Sequence, residues 1–340
     1  MKNTRKLFGM LAMSALNLAS CSLEEKDQTF EPGVLFQAAT PQEFAGLKSD
    51  ALEDLIQNFQ FDASGMGVFT TENGTQISIN GACLTKNGNA VTGQVAVEIV
   101  ELYDRGNMLL TNKTTMGRMD DGGKDIMISG GEFYINATQG GDQLVLGCNM
   151  QVIIPVDLTG GADNQMSLWK GTIGEDCDST IACDDIIWDE IRDEEGNMPG
   201  IEIGKGIAQG DAYYTFFQEF GWTNVDRFAG DPRPKTGLLV DVPEGFNDEN
   251  SAVYISYDGE PNALAFLDKY DEDLELFTEH YGQIPIGLEA HVIFVSEDNG
   301  NWLYAIKAVT IVADGTISFD LLDTVTASDT QLRTLINNLP

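Results

Sequence analysis

The chain has 340 residues and carries 54 acids against 19 lysines and arginines, a formal net charge of −35 at pH 7. Such a surface repels the equally anionic backbone of nucleic acid, so no nucleic-acid partner is expected, and it repels anionic lipid head groups too. Two histidines in the whole chain leave little room for Ser-His-Asp chemistry.

The first residues, Met1-Lys2-Asn3-Thr4-Arg5-Lys6, hold three cations, and an apolar stretch follows from Leu7 to Leu18. About a dozen residues falls short of the ~20 that a bilayer-spanning helix needs. A charged start, a short apolar run and small residues before a cut describe a secretory signal instead. The ending Leu18-Ala19-Ser20-Cys21 resembles the lipobox of bacterial lipoproteins. That resemblance implies removal of residues 1–20, acylation of Cys21, and a lipid-anchored place in the cell envelope, with the outer membrane as the expected address. Several acyl chains hold a protein durably where one is marginal. Residues 21–39 then read as a polar tether, and the acids in Ser22-Leu23-Glu24-Glu25-Lys26-Asp27 resemble the surface-export signals of Bacteroidota lipoproteins.

Thr40-Pro41-Gln42-Glu43 is a helix start: Thr40 caps, Pro41 suits the first position and Glu43 completes a capping box. Phe44, Leu47, Leu52, Leu55, Ile56 and Phe59 recur at helical spacing, which predicts a helix over 41–58 lying against the first sheet. From Phe61 to Pro155 the pattern is one of strands. Val95, Val97 and Ile99 fall on one face of an alternating run, the residues of 75–79 and 132–137 alternate likewise, and glycine-rich turns separate the runs. This predicts a first β-sandwich within 40–170.

Residues 171–200 are the most acidic stretch and read as a connector. The second half, 201–340, is expected to form a second β-sandwich. Tyr213 to Phe217, Leu238 to Val240 and Val253 to Ser256 are strand-like. Ala263 to Leu267 and Leu274 to Phe277 are taken as a hairpin. The runs on either side of Glu297-Asp298-Asn299-Gly300 form another. Ser328 caps a short terminal helix reaching Asn337. The fold expected is therefore mainly β, two β-sandwich domains with an N-terminal helix and a short C-terminal helix.

Exported proteins sit where disulfides persist. Cys177 and Cys183, with five residues between them, are paired as one loop, which leaves Cys83 to pair with Cys148 across the first domain. Zinc is disfavoured, because no C-x-x-C spacing occurs and His280 and His291 lie far away. No Walker loop, H-E-x-x-H or G-x-S-x-G is present, and no catalytic residue is assigned. Acid pairs such as Asp120-Asp121, Asp184-Asp185, Asp189-Glu190 and Asp271-Glu272-Asp273 read as solvated loops. No cofactor is expected; calcium is the ion that the acidic loops at 184–197, 245–250 and 271–273 could hold. Trp188, set among acids, and Trp222, in Phe220-Gly221-Trp222-Thr223-Asn224-Val225-Asp226-Arg227-Phe228, are the candidate ligand contacts.

Three segments, Gly93-Gln94-Val95-Ala96-Val97-Glu98, Met108-Leu109-Leu110-Thr111-Asn112-Lys113-Thr114-Thr115 and Ser129-Gly130-Gly131-Glu132-Phe133-Tyr134-Ile135, are similar to a β-sandwich module of Bacteroidota envelope lipoproteins of uncharacterised function. Asp178-Ser179-Thr180 and Asp323-Thr324-Val325 look like the O-glycosylation triplets of such proteins. The resemblance implies no activity and no catalytic residues. The expectation is a non-enzymatic binding or scaffold protein, anchored in the bilayer through Cys21, with a protein or glycan partner. The alternatives are a glycan-binding accessory of an outer-membrane uptake system and a carboxylate-dependent hydrolase.

Overall fold

The computed structural model describes residues 36–173, 181, 186–206, 210–280 and 282–340. The signal segment, Cys21, Cys177 and Cys183 lie outside these residues. Helix α1 (Pro41–Glu53) begins with the expected capping box: the Glu43 N–H donates to Thr40 Oγ1 at 3.2 Å, and the Thr40 N–H donates to Glu43 Oε2 at 2.8 Å. It ends five residues sooner than its apolar spacing predicts. Gln57–Asp62 instead forms a strand, with Phe59 opposite Val97 and Phe61 opposite Val95. Pairing with a hydrophobic strand outweighs a weak helical preference.

The protein is mainly β. Its largest sheet has eight strands, in the order Gln57–Asp62, Gln94–Leu102, Lys124–Gln139, Gly221–Phe228, Ser167–Ile173, Ile186–Glu190 and Met116–Arg118, with Asp142–Gln143 at the side of Lys124–Gln139. Met116–Arg118 also pairs with the start of Lys124–Gln139, so five strands close into a ring. A five-stranded sheet runs Glu202–Lys205, Asp211–Phe217, Met150–Pro155, Gln76–Asn80, Met66–Thr70. These two sheets share one core. Val97, Ile99, Phe133 and Ile135 come from the first, and Ile77, Ile79, Val152 and Ile154 from the second. The alternation read at Val95, Val97 and Ile99 does bury those three side chains.

Two strand sets correct the expected boundaries. Residues 171–200 are not only a connector: Ile186–Glu190 pairs with Ser167–Ile173 inside the large sheet. Asp211–Phe217 and Gly221–Phe228, expected to open the second half, pair with Met150–Pro155 and Lys124–Gln139 of the first. Burial of Ile186 and Trp188 is favourable enough to draw an acidic segment into a sheet.

The remaining chain builds a four-stranded and a second five-stranded sheet around another core, which includes Val240, Val253, Phe277, Phe294 and Leu303. Glu289–Asp298 and Asn301–Thr310 form the expected hairpin, closed by Asn299 at φ 53° and Gly300 at φ 77°, the two-residue turn with both residues left-handed. The hairpin predicted at 263–277 forms in a different register. Lys269–Asp271 pairs with Leu276–Thr278, whereas Ala265–Phe266 joins Ser251–Tyr257 in the other sheet. The described residues hold two further helices. Helix α2 (Arg105–Leu110) falls where strands were expected; α3 (Asp329–Asn337) is the expected terminal helix, capped by Ser328 with Gln331. Residues of α1, α2 and α3 share a third core with Tyr134, Tyr254 and all four tryptophans. Ala38–Pro340 make one compact unit.

Candidate functional site

Three segments singled out in the sequence meet at one place. Helix α2 is capped by Asp104, whose Oδ1 accepts the Asn107 N–H at 2.9 Å. It runs into Thr111-Asn112-Lys113-Thr114-Thr115, each of which is buried. Buried polar groups need partners, and this turn finds them in both halves of the chain. Asn112 Oδ1 accepts the Tyr254 hydroxyl at 2.5 Å, and the Thr114 carbonyl accepts the Trp188 indole N–H at 2.8 Å. Thr115 exchanges bonds with Leu264, donating its N–H to the Leu264 carbonyl and accepting the Leu264 N–H at its hydroxyl.

The second and third segments lie in adjacent strands. Glu132 stands opposite Asn224, but Ser129 stands opposite Asp226, so Lys124–Gln139 carries one extra residue here. That is a β-bulge. It is possible because of two glycines. Gly131 has φ +129°, and a Cβ on Gly130 would lie 2.7 Å from the Val225 carbonyl oxygen. The bulge also reverses which side chains face which core. Tyr134 and Met127 join the helices' core, while Ile126 and Ile128 enter the core of the second half.

Glu132, Asn224 and Asp226 are fully buried at this bulge, with Lys113 close by. The Asn224 amide donates to Asp226 Oδ2 at 2.9 Å. Both carboxylate oxygens of Glu132, Asn224 Oδ1, Asp226 Oδ1 and the Trp222 indole nitrogen have no hydrogen-bond partner. Burial drives the Glu132 carboxyl well above the usual carboxylate range, and the Asp226 charge adds to this while Lys113 opposes it. Burial likewise raises Asp226, against hydrogen bonding from Ser129 and Gly130. The Lys113 ammonium donates to the Thr111 carbonyl at 3.2 Å and lies 5.5 Å from the Trp222 ring centroid. Two adjacent carboxylates without water do not both stay ionised unless a cation joins them. Glu132, Asn224 and Asp226 are each 0% exposed.

An open cleft of about 910 Å³ lies at the turn joining Asp211–Phe217 to Gly221–Phe228. Phe216, 46% exposed, and Phe220 line it beside Lys170, Glu190, Arg192 and Gln218. Arg192 Nη2 is 2.6 Å from Glu190 Oε2, and Glu190 Oε1 accepts the Ser167 hydroxyl at 2.9 Å. Gly171 belongs to its wall for a steric reason: a Cβ there would sit 2.7 Å from Trp222 Cβ. A smaller cleft of about 410 Å³ holds Lys124, Asp268 and His280. Lys124 Nζ is 2.7 Å from Asp268 Oδ2, and His280 Nδ1 is 3.1 Å from Asp268 Oδ1. Burial works to raise the Asp268 carboxyl, but Lys124 and His280 outweigh it and hold it below the usual range.

The structure distributes the residues chosen from the sequence. Cys83 and Cys148 form the expected disulfide, with Cα atoms 5.6 Å apart. Trp188 and Trp222 are 0% and 3% exposed, so neither ring stands out in solvent, although Trp222 is among the residues lining the larger cleft. Their rings pack edge-on, 6.5 Å between centroids. Ring closure of the sheet covers Trp188, because it places it opposite Gly117 in a parallel bridge, while Trp222 stands opposite Tyr134. His291 Nδ1 lies 2.8 Å from Asp258 Oδ1. Asp189 binds Arg118 at 2.7 Å, Asp193 Oδ1 accepts backbone N–H groups of its own turn, and Asp271 does the same for Asp273 and Leu274. Among the described residues, no three His, Cys, Asp or Glu side chains gather as a metal site. Phe216 is the cleft residue that sequence reasoning missed. From Tyr213 onward its strand alternates inward and outward, and Phe216 is the more exposed of the two outward aromatics, Tyr214 and Phe216. Compared with known proteins, the chain matches no family model and no curated sequence.

Proposed function

We propose that the protein is a non-enzymatic binding or scaffold protein of the cell envelope, held to the bilayer through acylated Cys21 and using the open cleft beside Phe216 as its binding surface. On this reading the two sheet pairs are two sandwich modules, locked together by the buried 111–115 turn, and the 21–39 tether separates the acidic body from lipid. The observation that supports it is the cleft itself, about 910 Å³ with an exposed aromatic ring next to charged and amide side chains. Binding sites combine an apolar wall with a few orienting polar groups in this way.

A glycan is the second reading, favoured by Phe216 standing beside Gln218, Asn149 and Gln143, since sugars stack on rings and hydrogen-bond to amides. A carboxylate-dependent hydrolase has less support, because Glu190 is already held by Arg192 and Ser167. The test is a glycan panel and envelope-fraction binding with the purified protein and its Phe216→Ala variant. Replacing the ring is expected to weaken binding by about 0.5–1.5 kcal/mol, at most roughly tenfold, without changing stability. Turnover of a polysaccharide or peptide would overturn the non-enzymatic reading, and binding indifferent to Phe216→Ala would overturn the cleft.

A further inference from the structure

We infer that Glu132, Asn224 and Asp226 form an internal site for a hard, oxygen-seeking cation, built at the β-bulge between Lys124–Gln139 and Gly221–Phe228. The argument rests on geometry. Glu132 and Asn224 are cross-strand partners, and such pairs hold their Cβ atoms about 4.5–5.5 Å apart. The Asn224 amide nitrogen is committed to Asp226 Oδ2 at 2.9 Å, so the amide presents its oxygen as the free acceptor. Together with both oxygens of Glu132 and Oδ1 of Asp226, this makes four buried acceptors without a donor.

An orphaned buried acceptor costs about 1–3 kcal/mol. Four of them within one bulge make an expensive arrangement unless something positive occupies it. The donor set is entirely oxygen, from two carboxylates and an amide, which selects hard cations such as calcium or sodium over zinc or copper. A cation of that kind takes about six to eight oxygens in the calcium case. The remaining positions fall to water or to backbone carbonyls, and a water in the enclosure would also accept the orphaned Trp222 indole N–H. Two carboxylates against the nearby Lys113 leave a net negative charge for the cation to neutralise. Because Glu132, Asn224 and Asp226 are fully buried, the cation is enclosed as the chain folds, and it acts as a structural pin between Lys124–Gln139 and Gly221–Phe228.

The experiment is equilibrium unfolding and refolding of the purified full chain in choline buffer, with sodium alone or calcium alone added, beside the Glu132→Gln/Asp226→Asn variant. At a cation concentration about a hundred times its Kd, the folding equilibrium constant of the wild type is expected to rise roughly hundredfold. The arm that does so names the ion, and the variant is expected to lose that response. A wild type indifferent to both cations overturns the site in favour of carboxyls sharing a proton. A response that persists in the variant overturns it in favour of ions on the acidic surface. Should the variant not fold, terbium serves as a second probe, since it takes calcium's oxygen ligands. Emission sensitised by the neighbouring tryptophans and displaced by calcium supports the site, and absence of sensitised emission counts against it.

Discussion

Removing the Cys83–Cys148 bridge by Cys83→Ala/Cys148→Ala should destabilise the protein by about 4 kcal/mol while leaving its native structure intact. The bridge spans 65 residues, and the loop-closure relation for a loop of that size gives about 4 kcal/mol at 25 °C. The native state barely depends on the bond for its geometry. The Gly147 N–H donates to the Cys83 carbonyl at 2.9 Å, Leu84 pairs with Leu146, and Ser78 pairs with Gln151 just beyond. Strand pairing therefore already holds the two cysteines together, and the bridge acts mainly by restricting the unfolded chain. Two signatures follow in denaturant unfolding followed by tryptophan fluorescence. The midpoint falls, and the slope with denaturant rises because the unfolded chain is more expanded. Near-ultraviolet circular dichroism of the folded variant should match the wild type. A loss below about 1 kcal/mol would refute the entropic account, and an altered native spectrum would show that the bond shapes the folded state.

Trp188→Phe should cost about 2–4 kcal/mol, since it strands the Thr114 carbonyl and leaves a gap against Trp222; thermal unfolding measures it, and a shift near zero would mean the 111–115 turn has another partner there. Asp268→Asn should change stability in a pH-dependent way. The wild-type carboxyl titrates below its unfolded value of about 4, so its contribution is fully present above that pH and is lost as pH falls through the lower folded value. Acid-unfolding curves of wild type and variant should converge at low pH and separate above about pH 4; parallel curves would show that Lys124 and His280 do not favour the charged form.

Local signals in the sequence were enough for local structure. The Thr40 box, the Asn299-Gly300 turn and the Ser328 cap all form as read, because each depends on residues three or four positions apart. Val95, Val97 and Ile99 bury as their alternation requires. Cys83–Cys148 followed from pairing the two nearer cysteines with each other. Helix α2 is illegible in the sequence because six residues are too few to show a period, and its one local signal is the Asp104 cap before Met108-Leu109-Leu110.

The candidate sites needed the tertiary fold. Trp188 sits among acids in the sequence, yet ring closure against Gly117 buries it. Glu132 looks like an ordinary outward residue of an alternating strand. Only the bulge at Gly130-Gly131, and a partner strand more than eighty residues away in sequence, enclose it with Asn224 and Asp226. By itself the sequence determined the chain's acidity, its mainly β character and its caps and turns, since those follow from composition and from neighbours along the chain. The tertiary structure decided which strands close into a ring, which tryptophans are covered and which carboxylates lose their water, because burial is a property of surfaces brought together from distant segments.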